Sequence, residues 1–216
     1  MNKLITTFLI SAFCVLNSFA QTSIWKVSKN GKTLYLGGSI HLLRESDYPL
    51  PKEYDSAFVE SDKIVFETDI EKLEDPAFAQ SFMAEGTFKD GKNLNNVLTK
   101  KNYEKLKKQC AKVSLPLDMM TNFKPSIIIL TLTTMKFQTM GLSAEGIDKY
   151  YHLKGKEANK SFDFLETVDE QKDVLLKMGD GNENDYVKHS IKSFDDIETD
   201  FDAIVSDWRN GNTAII

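Results

Sequence analysis

The stretch "SIWKVSKNGKTLYLGGSIHLL", Ser23–Leu43, decides how the rest of the chain is read. Two β-prone runs flank Asn30-Gly31, a pair that tolerates the positive backbone angles of a tight primed turn. The stretch is therefore a hairpin. Its second strand stops at Gly37-Gly38, and His41 stands just beyond. Residues without a Cβ let backbone and ligand approach closely, so His41 is a candidate ligand or base set by a turn. It also reads as an ordinary loop residue, and the decision falls to the remaining chain.

Outward from the hairpin, strands alternate with helices. "PLPKEYDSAFVESD" is a short helix with Tyr54, Phe58 and Val59 on its inner face. "KIVFETD" is a strand without alternation, a pattern that suits cover on both faces. "EKLEDPAFAQSFMAEG" is helical, with Pro76 at a start or break. "KNLNNVLTKKNYEKLKKQCAKVSL" continues helically with exposed lysines. "KPSIIILTLTTMKFQTMG" has β-branched residues, but its length and Pro125 favour a buried helix. "SAEGIDKYYHLKGKEANK" is a helix capped by Ser143, "SFDFLE" a strand, and "VDEQKDVLLKMG" a helix ended by Gly179. Apolar residues from Val187 to Trp208 recur at three-and-four spacing, giving one helix or two in line. The acids opposite, Asp195 to Asp202, form a solvated face. The expectation is an α/β fold: a small mixed or mostly parallel sheet with an N-terminal hairpin, flanked by many helices.

Residues 1–20 read as a secretory leader. Lys3 precedes an apolar run from Leu4 to Val15, and small residues stand at Ser18 and Ala20. The run is about 12 residues, too short to span a bilayer. Cleavage after Ala20 leaves residues 21–216 as a single expected domain in the periplasm or outside the cell. It also removes Lys3, making the net charge of −5 one unit more negative. A mildly acidic exported chain is a poor nucleic-acid binder. No later segment is long and apolar enough to cross a membrane. Cys110 alone then remains, so no internal disulfide forms. It falls in register with Tyr103, Leu106 and Val113 and reads as a small buried hydrophobe.

Ligands of open α/β sheets gather beyond the carboxyl ends of strands. The hairpin strand delivers His41 there, "KIVF" delivers Glu67 and Asp69, and "SFDFL" delivers Glu166. One imidazole with several carboxylates suits zinc, manganese or iron. Such an ion lowers the pKa of a bound water toward 7, and a spare carboxylate takes the proton. Metal ligands would be His41, Glu67 and Asp69; catalytic carboxylates would be Glu67 and Glu166. The rival assignments are structural: Asp69 precedes a helix and caps it, and Glu166 serves the fold. His152 and His189 lie in helices as surface or satisfied residues. There is no Gly-x-Ser-x-Gly elbow and no phosphate-binding glycine loop.

These residues also carry a likeness. "LYLGGSIHLL", "IVFETD", "GIDKYYHLKGKEANK" and "FLETVDEQ", with "NFKPSIIIL" and "WRNGN" in the same order, resemble the TraB/PrgY/GumN family, which includes the Tiki-type proteases. The likeness covers residues 23–213. It implies an α/β fold related to erythromycin esterases and haem-binding ChaN proteins, and a metal-dependent protease chemistry using two Gly-x-x-His motifs with acids. Carried over by position, Gly38 and His41 match the first motif, Glu67 the acid after the next strand, and Glu166 and Gln171 the "LET…Q" element. The second Gly-x-x-His has no counterpart here, so the chain reads as a member incomplete at its C-terminus. The expected function is a metal-dependent hydrolase acting on a peptide or small molecule. The alternative is a non-catalytic binding protein or an inactive fragment.

Overall fold

The structure, a computed structural model, describes residues 22–143 and 145–212. The leader reading lies outside these residues. The fold is mixed α/β. Strands β1 (Ile24–Lys29) and β2 (Lys32–Gly37) form the antiparallel hairpin, with Asn30 and Gly31 both at positive φ. Strands β3 (Lys63–Phe66) and β4 (Ser161–Phe164) pair in parallel, Ile64 opposite Phe162. Hairpin and parallel pair are two separate sheets rather than one. The single sheet edge that was to gather all the strand ends therefore does not exist.

Ten helices surround the strands among the described residues. Helix α1 (Lys52–Glu60) packs Tyr54 and Ala57 inward. Val59, expected on that face, is 75% exposed. Helices α2 (Ile70–Leu73) and α3 (Pro76–Glu85) divide at Asp75, whose carboxylate caps Ala77 with Pro76 at the first turn. The lysine-rich stretch is also divided. Helix α4 (Leu94–Val97) ends before Thr99, and Thr99 caps α5 (Lys100–Lys112) by accepting from the Asn102 amide. A capping threonine with extended backbone cannot continue the helix before it.

Helix α6 (Pro125–Thr139) is the buried apolar helix the sequence favoured, with Ile127, Ile128, Ile129 and Leu132 out of solvent. Helix α7 (Ile147–Glu157) starts at Gly146 rather than at Ser143. Ser143 instead donates its hydroxyl to the Leu43 carbonyl at 3.3 Å. Helix α8 (Val168–Lys177) follows β4, and Gly179 at positive φ turns the chain away. The last stretch is two helices, α9 (Glu183–Ser193) and α10 (Ile197–Asn210).

Apolar burial falls into two clusters. One joins α4, α5, α6 and α9 around Leu106, Cys110, Ile128 and Val187. Burial pushes the Cys110 thiol up to about 11, consistent with its role as packing. The other gathers Leu43, Tyr54, Phe66, Tyr151, Phe201 and Trp208 beneath the hairpin end. Strand β3 is not covered on both faces, since Val65 is 48% exposed. Helices reach only its Phe66 side.

Trp208, 1% exposed, closes the second cluster. Its Nε1–H reaches the Gly38 carbonyl at 2.9 Å and the Tyr54 hydroxyl at 2.6 Å. Its own carbonyl accepts from the Ser23 amide at 3.1 Å and the Ser23 hydroxyl at 3.0 Å. Trp208→Ala should cost roughly 3–5 kcal/mol in denaturant unfolding, as for other buried aromatics. Trp208→Phe, which keeps most of the burial but removes the donor, should cost only about 1–2 kcal/mol.

Candidate functional site

His41 is reached through a loop pinned at several points. Gly38 N–H donates to the Ser23 carbonyl at 2.8 Å, and Tyr54 O–H to the Gly38 carbonyl at 2.6 Å. Burial pushes the Tyr54 phenol well above its ordinary value, so it remains a donor. Beyond His41, the Leu43 carbonyl accepts from the Ser143 amide at 3.0 Å. On the same side, the Ile147 amide donates to the Ile40 carbonyl at 3.0 Å. That last bond needs Gly146. A Cβ there would lie 2.2 Å from the His41 carbonyl carbon, closer than any real contact. The glycine lets the start of α7 lie flat against the His41 backbone.

The consequence is Asp148, in the first turn of α7. His41 Nδ1 lies 2.8 Å from Asp148 Oδ2, and Ser39 donates a short hydrogen bond to the same oxygen. On the other side, His41 Nε2 lies 3.7 Å from Glu67 Oε2. The imidazole thus sits between two acids, one behind it and one in front. Asp148 is mostly enclosed while His41 and Glu67 remain accessible.

Electrostatics follow from this placing. The Asp148 bond raises the His41 pKa, against partial burial that lowers it, and the charges of Asp148 and Glu67 add to the rise. Burial pushes the Asp148 carboxyl up, but the bonds from His41 and Ser39 outweigh it and hold it below the ordinary carboxylate value. A carboxylate in the first turn of a helix is further favoured by the helix dipole.

The sequence-derived residues are only partly brought together. His41 and Glu67 meet, although β2 and β3 lie in different sheets. Glu166 N–H donates to the Glu67 carbonyl at 2.9 Å, extending the parallel pairing past β3 and β4. It is the backbone of Glu166 that braces Glu67. Asp69 caps α2 by accepting from the Lys72 amide at 3.3 Å, and it pairs with Lys72 Nζ at 3.4 Å. His152 is buried between Phe66 and Phe162 with Glu71 at 4.0 Å; His189 is exposed. Asp148 escaped the sequence reading. Its signal was present in "GID", a close-approach glycine followed by an acid in a first helical turn.

A cavity of about 420 Å³ opens beside the imidazole. His41, Glu67 and Asp148 line it, with Phe66, Ile70 and Leu175 on its apolar wall. For a metal, the donors fit in kind but not in number. Nitrogen and carboxylate oxygen 3.7 Å apart can share one ion at bonds of about 2.1 Å. An aspartate holding the far ring nitrogen is the usual outer support of a histidine ligand. Yet among the described residues no group of three His, Cys, Asp or Glu is placed to hold an ion, and catalytic zinc sites usually have about three protein ligands. Nor is this a serine triad, since Ser39 bonds Asp148 and not the imidazole.

The sequence model of the TraB/PrgY/gumN family matches residues 23–216. No curated protein and no solved structure matches the chain. No helix among the described residues is long and apolar enough to cross a membrane.

In an NMR titration the His41 ring should titrate above the 6.5 of an ordinary histidine. Asp148→Asn should bring the midpoint down. A raised folded-state value means the stabilisation from the charged pair is complete below pH 6.5 and is lost as pH climbs through that value. Gly146→Ala should also lower the midpoint, by pushing α7 away from the loop.

Proposed function

The chain belongs to the TraB/PrgY/gumN family, and from that premise we propose that it is an exported hydrolase. It cleaves a peptide or small molecule at the mouth of the cavity beside His41, with His41 and Glu67 as protein donors to a divalent zinc, manganese or iron ion. One observation carries the reading. A single imidazole lies 2.8 Å from one carboxylate and 3.7 Å from another, at the opening of a cavity large enough for a side chain.

The roles follow from position. Asp148 accepts the Nδ1–H hydrogen bond and fixes the ring, which leaves Nε2 facing Glu67 as base or donor. Glu67 is half-exposed and can accept a proton from an attacking water. Glu166 holds the Glu67 backbone in register. Asp69 sets the start of α2, which walls the cavity. An ion bound here would bring the pKa of its water toward 7.

The two-donor count favours a second reading, a binding protein that uses the same cavity without chemistry. Calorimetric titration with manganese or zinc, alongside hydrolysis of an unfolded protein substrate, separates the two. The hydrolase reading expects saturable binding, chelator-sensitive cleavage, and loss of both in His41→Ala. Glu67→Gln should weaken ion binding by about 10-fold or more. Absence of binding and cleavage in the wild-type chain would leave the binding protein.

A further inference from the structure

The cavity beside His41 has two unlike parts. Its mouth is charged, with His41, Glu67 and Asp148 on one side and the Glu74–Lys149 ion pair, 2.7 Å, on the other. Its interior wall is hydrocarbon from three elements: Phe66 at the end of β3, Ile70 and Leu73 on α2, and Leu175 on α8. Ile70, Leu73 and Leu175 are only partly buried, so the wall borders open space rather than a packed core. A volume of about 420 Å³ holds one large side chain with room for the group that carries it.

Two polar groups on the same cavity lack partners. Thr68 is buried, and its Oγ1 makes no hydrogen bond. Among the described residues the Gln171 side-chain amide has no hydrogen-bond partner either. Thr68 is the buried orphan of the two, at a cost of about 1–3 kcal/mol; Gln171 is half-buried on the cavity wall. A primary amide with a free donor and a free acceptor matches another amide group.

We infer that the cavity is a specificity pocket for a branched or aromatic hydrocarbon side chain carried next to an amide, the side chain seated against Ile70, Leu73 and Leu175 and the amide met by Gln171. This deepens the hydrolase reading by naming what the cleft selects, and it rests on that cavity being the substrate site. The cleaved bond then lies beside the seated side chain, because His41 and Glu67 stand at the same mouth. Charged or very small side chains are excluded. The wall offers them no counter-charge, and glycine leaves it unfilled.

The test measures binding and requires no turnover. Methyl groups of Ile70, Leu73 and Leu175 are followed by NMR while N-acetyl-leucinamide, N-acetyl-phenylalaninamide, N-acetyl-glycinamide and N-acetyl-aspartamide are titrated into the full chain. The first two should shift these methyls and bind at least about 10-fold tighter than the glycine compound, the worth of one buried aliphatic side chain. Leu73→Ser should abolish the preference. Gln171→Leu should weaken N-acetyl-leucinamide severalfold with the leucine preference retained. The titrations need no turnover, so loss of hydrolysis in His41→Ala and loss of the side-chain preference in Leu73→Ser are read apart. Equal binding of the leucine and glycine compounds would overturn the inference. So would shifts confined to the exposed hairpin residues Leu34 and Leu36, or an unchanged preference in a folded Leu73→Ser variant.

Discussion

The indole N–H of Trp208 on the Gly38 carbonyl is the contact from which the site takes its shape. Gly38 lies three residues before His41, so whatever holds that carbonyl aims the imidazole. Tyr54 reinforces it from α1 by donating to the same oxygen. The far side of the loop is tied to α10, the helix that carries Trp208. Arg44 pairs with Asp202 at 2.6 Å, and Arg209 donates to the Asp47 and Pro49 carbonyls. The last helix therefore clamps the histidine loop at both ends. These are long-range bonds; those on the Gly38 carbonyl are partly buried, where a hydrogen bond is stronger and its loss costs more than at the surface, while the Arg44–Asp202 pair is solvent-exposed.

What the sequence disclosed was local. The hairpin was legible because Asn30-Gly31 sets both turn and register. The buried character of α6 was legible from an unbroken apolar run. The meeting of His41 and Glu67 was foreseen, but for a reason that does not hold, since their strands share no sheet. The two come together because α7 and α10 fix the loop after β2 beside the end of β3. Those contacts depend on packing across more than a hundred residues and leave no periodic mark. Asp148 was hidden for the same reason, its partner being 107 positions away. Val59 and Val65 misled because an apolar residue implies burial only on average. The division of the lysine-rich stretch at Thr99 was readable in principle, since a threonine before a helical run is a cap.

The same arrangement explains why aspartate and glutamate do different work around one imidazole. Asp148 is enclosed, doubly hydrogen-bonded and held ionised, so it is a constant negative charge behind the ring. Glu67 is open to solvent and approaches at 3.7 Å without sharing a direct hydrogen bond. Histidine is then the group whose charge varies. Below its raised pKa the second proton occupies Nε2, the nitrogen that would face a cation. Proton and cation compete for one lone pair, and both acids favour either occupant. An ion bound as proposed would therefore release a proton at low pH and bind up to about 10-fold more weakly for each unit below the histidine midpoint. The strength of the Asp148 bond sets where that competition turns over. A weaker bond would widen the working range for the cation but free the ring to rotate. The short tether through Gly146 holds the ring at the expense of that range.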